Sequence, residues 1–164
     1  MARERSHPLP RVTTPTAIQV HATCVVLAES GVLLCGPSGC GKSDLALRLV
    51  DAGARLVSDD RVELERREGT LWAWAPAAIA GRLEVRGLGI VRLDADQCQP
   101  AGARVVLAVD LVDASAVERL PEAAKRGWLG VDLPLLALDP RQASAPAKLR
   151  LAAGLARQGT LFAH

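Results

Sequence analysis

The sequence contains very few aromatic residues, and their scarcity argues against one class of function. Its 164 residues include one phenylalanine, no tyrosine and three tryptophans. A surface that stacks the bases of single-stranded nucleic acid needs several aromatic side chains. The 20 basic and 18 acidic residues are interspersed and give a net charge of +2, whereas a protein that holds a duplex by its phosphates needs a concentrated positive surface. We therefore expect no nucleic-acid partner.

The signals of a membrane or secreted protein are missing as well. No apolar run reaches the ~18 residues of a membrane-spanning helix. Residues 1–17 are basic and contain proline, but they lack the apolar centre of a secretory signal. The four cysteines, Cys24, Cys35, Cys40 and Cys98, are not spaced like the ligands of a metal site. These absences predict a cytoplasmic protein with reduced thiols and no membrane partner.

The length and the hydrophobic content allow one domain. With 164 residues, 49% of them hydrophobic, the chain can bury a sizeable core without dividing into separate units. Residues 1–17 show no hydrophobic periodicity and are interpreted as a flexible leader. Residues 18–164 are interpreted as a single domain.

Hydrophobic periodicity predicts strands and helices in mixed order. Apolar, β-prone residues at 18–27 and 31–35 flank a short turn, which is typical of a hairpin. Apolar residues four positions apart predict an amphipathic helix that begins near Lys42 and ends near Gly53. Further along, the predicted elements are a short strand at 55–58, several short strands within 61–93, a buried strand at 105–111, a helix at 114–126, a short strand at 133–138 and a closing helix at 147–158. This order predicts an α/β fold with a mixed sheet.

An eight-residue stretch matches the phosphate-binding pattern G-x-x-x-x-G-K-[ST] in full. It consists of Gly36, Pro37, Ser38, Gly39, Cys40, Gly41, Lys42 and Ser43. The glycines let backbone N–H groups turn towards phosphate oxygens, and the following helix presents the positive end of its dipole to the same anion. In this pattern Lys42 supplies an ammonium for the β- and γ-phosphates, and the Ser43 hydroxyl ligates Mg²⁺. Because an apolar strand precedes the motif and an amphipathic helix follows it, we expect the chain to bind ATP with magnesium.

A phosphate loop needs an acidic partner for the metal, and the sequence offers two candidates. Asp110 lies at the end of the apolar run 105–111. Asp59 and Asp60 end the short strand that directly follows the helix of the phosphate loop. The strand pattern alone does not decide between them. Two adjacent carboxylates could support a metal and accept a proton, which are the two tasks in transferring a phosphoryl group to an alcohol.

Four motifs occur together in one order. They are His21 before the hairpin, the phosphate loop continued by Asp44, the segment from Leu56 to Asp60, and the segment from Leu83 to Ile90. Together they resemble the catalytic domain of HPr kinase/phosphorylase, a bacterial family that phosphorylates a serine of the phosphocarrier protein HPr. The resemblance covers residues 17–95 strongly and the remainder loosely. It implies a P-loop kinase domain related to phosphoenolpyruvate carboxykinase, in the short form without the N-terminal domain of longer members.

The resemblance also implies a role for each matching residue. The phosphate loop would hold the triphosphate of ATP, and Ser43 and Glu84 would ligate Mg²⁺. Asp60 would take the proton of the acceptor serine while Asp59 supports the metal, although the reverse assignment fits the motif too. The catalytic set implied in this way is His21, Lys42, Asp59 and Asp60.

The leading hypothesis is thus an Mg-ATP-dependent serine kinase acting on HPr or a paralogous phosphocarrier, and the family implies a homo-oligomer, a hexamer. Residues 138–148 lack the loop pattern associated with the reverse reaction, so the sequence favours the kinase direction over the phosphorylase reaction. One alternative is a P-loop kinase for a small metabolite, which would need an added segment to close over its substrate. Another is an ATP-binding regulatory module without turnover, which would not need the acids Asp59, Asp60 and Glu84.

Overall fold

The computed structural model describes residues 15–163. Over this range the chain forms eleven strands and two α-helices. The strands are β1 (Ala17–His21), β2 (Thr23–Leu27), β3 (Ser30–Cys35), β4 (Arg55–Ser58), β5 (Arg61–Arg67), β6 (Thr70–Trp74), β7 (Arg82–Val85), β8 (Gly89–Arg92), β9 (Ala103–Leu111), β10 (Ala124–Trp128) and β11 (Val131–Leu138). The helices are α1 (Lys42–Asp51) and α2 (Ala145–Gln158). The predicted α/β class with a mixed sheet is confirmed.

Strand β9 connects the two parts of the main sheet. The strand order is β1-β5-β6-β9-β3-β2-β4, and β11 also pairs with β9 and carries β10 on its other edge. β9 runs parallel to β3 and β11 and antiparallel to β6. Its run of valine, leucine and alanine suits a strand that is covered on both faces. Strands β7 and β8 form a separate hairpin.

The apolar core lies on both faces of this sheet. On one face, α1 and α2 contribute Leu45 and Leu149 to a buried cluster that includes Leu34. On the other face, β1, β5 and β6 cover a second cluster that includes Leu33 and Leu64. Leu33 and Leu34 belong to different clusters because successive side chains of a strand point to opposite faces.

The sheet brings three chemically important segments to the end of β3. The β2–β3 hairpin forms as predicted, and residues 36–43 lead from the end of β3 into α1. β4 pairs with β2 so that Ser58 lies opposite Cys24, which places the acidic pair after Ser58 beside the start of β2. The parallel strand β9 ends next to β3, with Asp110 opposite Cys35.

One predicted element is wrong. In place of a helix at 114–126 the chain forms a single 3₁₀ turn at Ala114–Ala116, then irregular backbone, then strand β10. Pro121 has no N–H to donate and interrupts a helix at this point. The rest of the segment pairs with β11, where Arg126 lies opposite Leu133, and this pairing overrides the local helix propensity.

The first part of the chain is also subdivided more finely than its apolar run suggests. The predicted strand region 18–27 consists of two strands, since β1 pairs with β5 whereas β2 pairs with β3 and β4. Of the predicted leader, residues 1–14 lie outside the described residues. Neither helix within residues 15–163 is long and apolar enough to cross a membrane.

The packing of α2 on the sheet yields a stability prediction. Leu149 is 0% exposed in the core, whereas Leu151 on the same helix is 67% exposed. We expect Leu149→Ala to lower the free energy of unfolding by about 2–5 kcal/mol, since it leaves a cavity. Leu151→Ala should change it by less than about 0.5 kcal/mol. Urea unfolding followed by circular dichroism measures both, and equal losses would contradict the packing described for α2.

Candidate active site

The phosphate loop, residues 36–43, makes a turn that requires glycine at its start. Gly36 has a φ of 150° and Gly41 a φ of 106°, values that disfavour residues with side chains. A Cβ on Gly36 would lie 2.6 Å from the Sγ of Cys40. The loop is held closed by a hydrogen bond from the Cys40 N–H to the Pro37 carbonyl, 3.1 Å long. It delivers the chain directly into the N-terminus of α1, where backbone N–H groups are free to bind an anion.

Lys42 is buried at the base of this loop. Its Nζ donates to the carbonyl oxygens of Gly36 at 2.6 Å and Pro37 at 3.0 Å, and it lies 3.8 Å from the Sγ of Cys40. These carbonyls stabilise an ammonium that burial would otherwise penalise. The loop therefore surrounds a fixed positive charge.

The Asp59 carboxylate is the centre of a polar network beneath the loop. The Ser43 hydroxyl lies 2.8 Å and 3.0 Å from its two oxygens. The Thr23 hydroxyl donates to Oδ1 at 2.9 Å, and the backbone N–H of Glu84 donates to Oδ2 at 3.2 Å. Asp59 is buried, and a buried carboxylate with partners on both oxygens is held in one position.

Thr23 links the two aspartates and is a site residue that the sequence did not reveal. Its hydroxyl is fully buried. It donates to Asp59 and accepts from the backbone N–H of Asp60 at 3.3 Å. The only signal is a hydroxyl residue two positions after His21, and threonine is too common in strands for this to stand out.

Asp60 faces outward on a tight turn. Its φ is 66°, and the Arg61 N–H donates to the Asp59 carbonyl at 2.8 Å, which makes Asp60 the central residue of a γ-turn. Such strained residues concentrate at functional sites. The Oδ1 of Asp60 lies 2.8 Å from the Nε2 of His21, with 60% and 46% of the two side chains exposed. The adjacent aspartates thus occupy opposite environments, one buried and fully bonded, the other open and paired with an imidazole.

A cleft of about 350 Å³ opens beside the His21–Asp60 pair. Its walls include Ser38 of the phosphate loop, as well as Gln19 and Arg61. The phosphate loop and the exposed aspartate therefore face one space.

The donors needed for a metal ion are only partly assembled. Glu84 approaches Asp59 through its backbone N–H, and its side chain is exposed. Within residues 15–163, no three His, Cys, Asp or Glu side chains form a metal-binding group. Ser43 and Asp59 do supply hydroxyl and carboxylate oxygens, which suits Mg²⁺ because that ion keeps waters and phosphate oxygens as further ligands. The pairing of Ser43 with Glu84 as metal ligands stays a prediction.

The alternative acid, Asp110, is engaged elsewhere. Its two oxygens accept hydrogen bonds from Arg126 at 2.6 Å and 2.8 Å. These bonds raise the pKa of the Arg126 guanidinium, while burial raises the pKa of the neighbouring Cys35 thiol. It is Asp59 and not Asp110 that meets Ser43. Arg126 lies in the segment that local sequence wrongly predicted as a helix, so this ion pair could not be anticipated.

A second loop supports the phosphate loop from outside. A Cβ on Gly41 would touch the ring of Pro140 at 3.4 Å, and Arg48 of α1 donates to the Pro140 carbonyl. Next to it, the backbone N–H of Arg141 donates to Asp139, and this bond together with the Arg141 guanidinium holds the pKa of Asp139 below its usual range.

A protein-family model matches most of the chain. The model of the HPr serine kinase C-terminal domain matches residues 13–149. The chain belongs to this family. The matched range contains all four motifs, and the match confirms the resemblance inferred from them.

Several curated relatives of this chain are named HPr kinase/phosphorylase. The HPr kinase/phosphorylase of Clostridium botulinum is 42% identical over 73 residues, which are 44% of this chain and 24% of that protein. The HPr kinase/phosphorylase of Levilactobacillus brevis is 48% identical over 73 residues, again 44% of this chain and 24% of the relative. That of Listeria monocytogenes is 48% identical over 77 residues, 46% of this chain and 25% of the relative. The chain thus spans about a quarter of the length of the curated relatives it matches.

A solved structure extends the likeness over most of the fold. The Hpr(Ser) kinase/phosphatase from Coxiella burnetii superposes with a TM-score of 0.76 at 25% identity, covering 87% of this chain and 97% of that one. The HPr serine kinase domain and this chain therefore share the mixed α/β fold well beyond the stretch that matches the curated relatives in sequence.

The Thr23 link predicts a stability effect. Thr23→Val keeps the shape of the side chain but removes one hydrogen bond to the Asp59 carboxylate and one from the Asp60 N–H. We expect the free energy of unfolding to fall by about 1.5–3 kcal/mol, the value of a bond to a charged group. The exposed Thr160, whose hydroxyl reaches only the Leu155 carbonyl, provides the control Thr160→Val. Urea unfolding at pH 7 compares them, and a Thr23→Val loss no larger than the control's would contradict the network.

The cysteines should differ sharply in reactivity. Burial raises the pKa of the Cys24 and Cys35 thiols, and it also raises that of Cys98, with a contribution from Asp94 and Asp96. A raised thiol pKa leaves less of the reactive thiolate at a given pH. We expect iodoacetamide at pH 8 to modify the partly exposed Cys40 first and Cys24 and Cys35 only on unfolding, as followed by peptide mass spectrometry. Early modification of Cys24 in the folded protein would contradict this order.

Proposed function

We propose that this chain is a cytoplasmic serine kinase that transfers the γ-phosphoryl group of ATP to HPr or an HPr-like phosphocarrier protein. The observation that carries the proposal is one connected network: Ser43 binds Asp59, Asp59 binds Thr23, and Thr23 binds the backbone of Asp60, which faces the cleft with His21. The network joins a phosphate loop to an exposed base. Family membership and the names of the relatives supply the acceptor.

The phosphate loop and Lys42 bind the triphosphate. The β- and γ-phosphate oxygens compete with the Gly36 and Pro37 carbonyls for the Lys42 ammonium, and an anion gives the stronger bond. Since Lys42 is buried within the loop, its charge acts at short range and is little screened. Positioning and charge stabilisation of this kind account for most of the catalysis of phosphoryl transfer.

Ser43 and Glu84 of β7 would ligate the magnesium ion, and Asp59 would support it through its bond to the Ser43 hydroxyl. An ion held there would supply positive charge against the charge that develops on the phosphate oxygens. Asp59 is suited to this supporting role because all of its bonds hold it in place. It is poorly suited to accept a proton, because both of its oxygens already carry donors.

Asp60 serves as the base that receives the acceptor proton. Its side chain is open to the cleft, and His21 at 2.8 Å orients the carboxylate. As the serine oxygen forms its bond to the γ-phosphorus, its proton passes to Asp60, the bond from that phosphorus to the bridging oxygen breaks, and ADP leaves. The proposal is restricted to this direction because residues 138–148 depart from the loop pattern associated with dephosphorylation. The homo-oligomer expected from the family stays a prediction.

Phosphate transfer from labelled Mg-ATP to purified HPr tests the function. We expect wild type to label a serine of HPr. Asp60→Asn should lower the transfer rate at least a hundredfold, because general-base catalysis contributes about 10²–10⁴, while the affinity for ATP stays within about twofold. Lys42→Ala should lose both phosphate transfer and ATP binding. Asp51→Asn, at the exposed end of α1, is a matched carboxylate control and should retain full activity. Normal transfer by Asp60→Asn would exclude it as the base, and failure of wild type to label HPr would refute the proposed acceptor.

A further inference from the structure

The outer face of the β1-β5-β6 sheet is continuous with the candidate active site. In the strand register His21 lies opposite Arg61, and the next row along the sheet is Gln19, Glu63 and Trp74. The following row is Ala17, Glu65, Trp72 and Arg104. These side chains share one face by alternation, since the residues between them, such as Leu64 and Leu71, are buried in the core. We call this surface the tryptophan face and define it by Gln19, Glu63, Arg67, Trp72, Trp74 and Arg104.

The composition of the tryptophan face is that of an interface. Two of the three tryptophans of the chain lie on it, only partly buried, with ring centroids 5.8 Å apart and an interplanar angle of 24°. The Arg67 guanidinium lies 4.3 Å from the centre of the Trp74 ring. Tryptophan and arginine are the residues most enriched among those that dominate binding energy between proteins. A broad hollow of about 600 Å³ lies at the far end, lined by Arg67, Thr70, Trp72 and Arg104.

The packing of the chain itself covers these tryptophans only in part: the Trp74 indole packs against Gly102, where a Cβ would clash with Nε1, and both side chains remain partly exposed. The inner side of β5 and β6 is already filled by fully buried residues, including Val62, Leu64 and Leu71. In a chain with so few aromatic residues, it is unusual that two stacked indoles lie on the solvent side of a sheet, where part of their apolar surface stays exposed.

Geometry identifies the occupant. Trp74 lies on the second strand from His21 and two residues further along the strand direction. The spacing between strands and the rise per residue then place the two Cα atoms about 12 Å apart. An ordinary protein interface buries about 800 Å² on each partner, a patch with a radius of about 16 Å. An interface centred on the His21–Asp60 pair is therefore wide enough to include Trp74, whereas a small metabolite bound at the pair would not reach it.

We infer that the tryptophan face docks the protein acceptor of the kinase, and this inference rests on the proposed function. The acceptor that fits is a folded protein whose target hydroxyl is surrounded by an apolar patch, because the stacked rings offer apolar area. On the acceptor, this apolar patch is bordered by charges of both signs, which complement Glu63, Arg67 and Arg104 of the tryptophan face. Docking at the tryptophan face fixes the orientation of the acceptor, and the cleft beside Asp60 receives only its side chain.

The test is kinetic. We expect the double substitution Trp72→Ala/Trp74→Ala to raise the KM for HPr at least tenfold, as removal of dominant interface residues does. The KM for ATP, and the rate at which the enzyme hydrolyses ATP when no acceptor protein is present, should stay unchanged. Leu151→Ser, which removes an exposed apolar residue from α2 on the opposite side of the sheet, is the control and should leave the KM for HPr unchanged. Circular dichroism checks that each variant is folded.

A second measurement does not depend on altering the tryptophan face. Trp128→Phe leaves Trp72 and Trp74 as the only indoles of the chain. With an HPr that contains no tryptophan, we expect saturation with HPr to reduce acrylamide quenching of the remaining fluorescence by about half. Analytical ultracentrifugation of wild type and the double variant shows in parallel whether the same face joins copies of this chain.

The outcomes are distinct. If wild type labels HPr but the double variant has a normal KM and quenching is unchanged, the docking inference is wrong and the kinase proposal stands. If the double variant alters the oligomeric state, the tryptophan face is a self-interface, and the inference is likewise overturned. If wild type binds ATP and does not label HPr, the proposed function itself fails, and the docking inference fails with it.

Discussion

The fixed position of the Asp59 carboxylate is the constraint on which the candidate site depends. Asp59 directly follows β4, and three other segments donate to its two oxygens: the start of β2 through Thr23, the start of α1 through Ser43, and β7 through the Glu84 backbone. A buried charge tolerates few arrangements, because each unsatisfied oxygen would cost several kcal/mol. The carboxylate therefore sets the distance between the phosphate loop and the turn that carries Asp60. Elsewhere in the fold, apolar packing leaves more freedom, since residues of similar volume can replace one another.

Local sequence was sufficient to predict an element wherever the residues that determine its structure lie within one short segment. The phosphate loop, the β2–β3 hairpin, α1 and the buried strand β9 could all be predicted, because their glycines, turn residues and apolar periodicity lie within short stretches. The family could be identified for the same reason. What could not be predicted depends on contacts between distant segments. Thr23 gains its role only when β4 pairs with β2, and Arg126 becomes part of a strand only because β11 is beside it. The helix predicted at 114–126 failed where such pairing outweighed propensity.

The choice between the two acidic candidates shows the same limit. Asp59 directly follows β4, and Asp110 is the penultimate residue of β9; the strand pattern before each of them does not separate the two. The difference lies in their partners, because Arg126 takes both oxygens of Asp110 and Ser43 takes those of Asp59. Asp59 and Asp60 are likewise identical residues at adjacent positions, but their side chains lie in different environments. A single γ-turn sends neighbouring carboxylates to opposite sides of the backbone, so that one can be buried while the other meets solvent.

The parallel pairing of β3 with β9 has a consequence for how the phosphate loop can be moved between proteins. β3 carries the loop, but its neighbour in the sheet arrives from far later in the chain, and so does Pro140, which touches Gly41. A fragment that ends before Ala103 would contain the whole motif and both aspartates of the pair, yet β3 would lack one edge and the loop its outer support. The eight-residue motif is therefore not expected to keep its shape when transferred alone, because β9 and Pro140 from the second half of the chain support it.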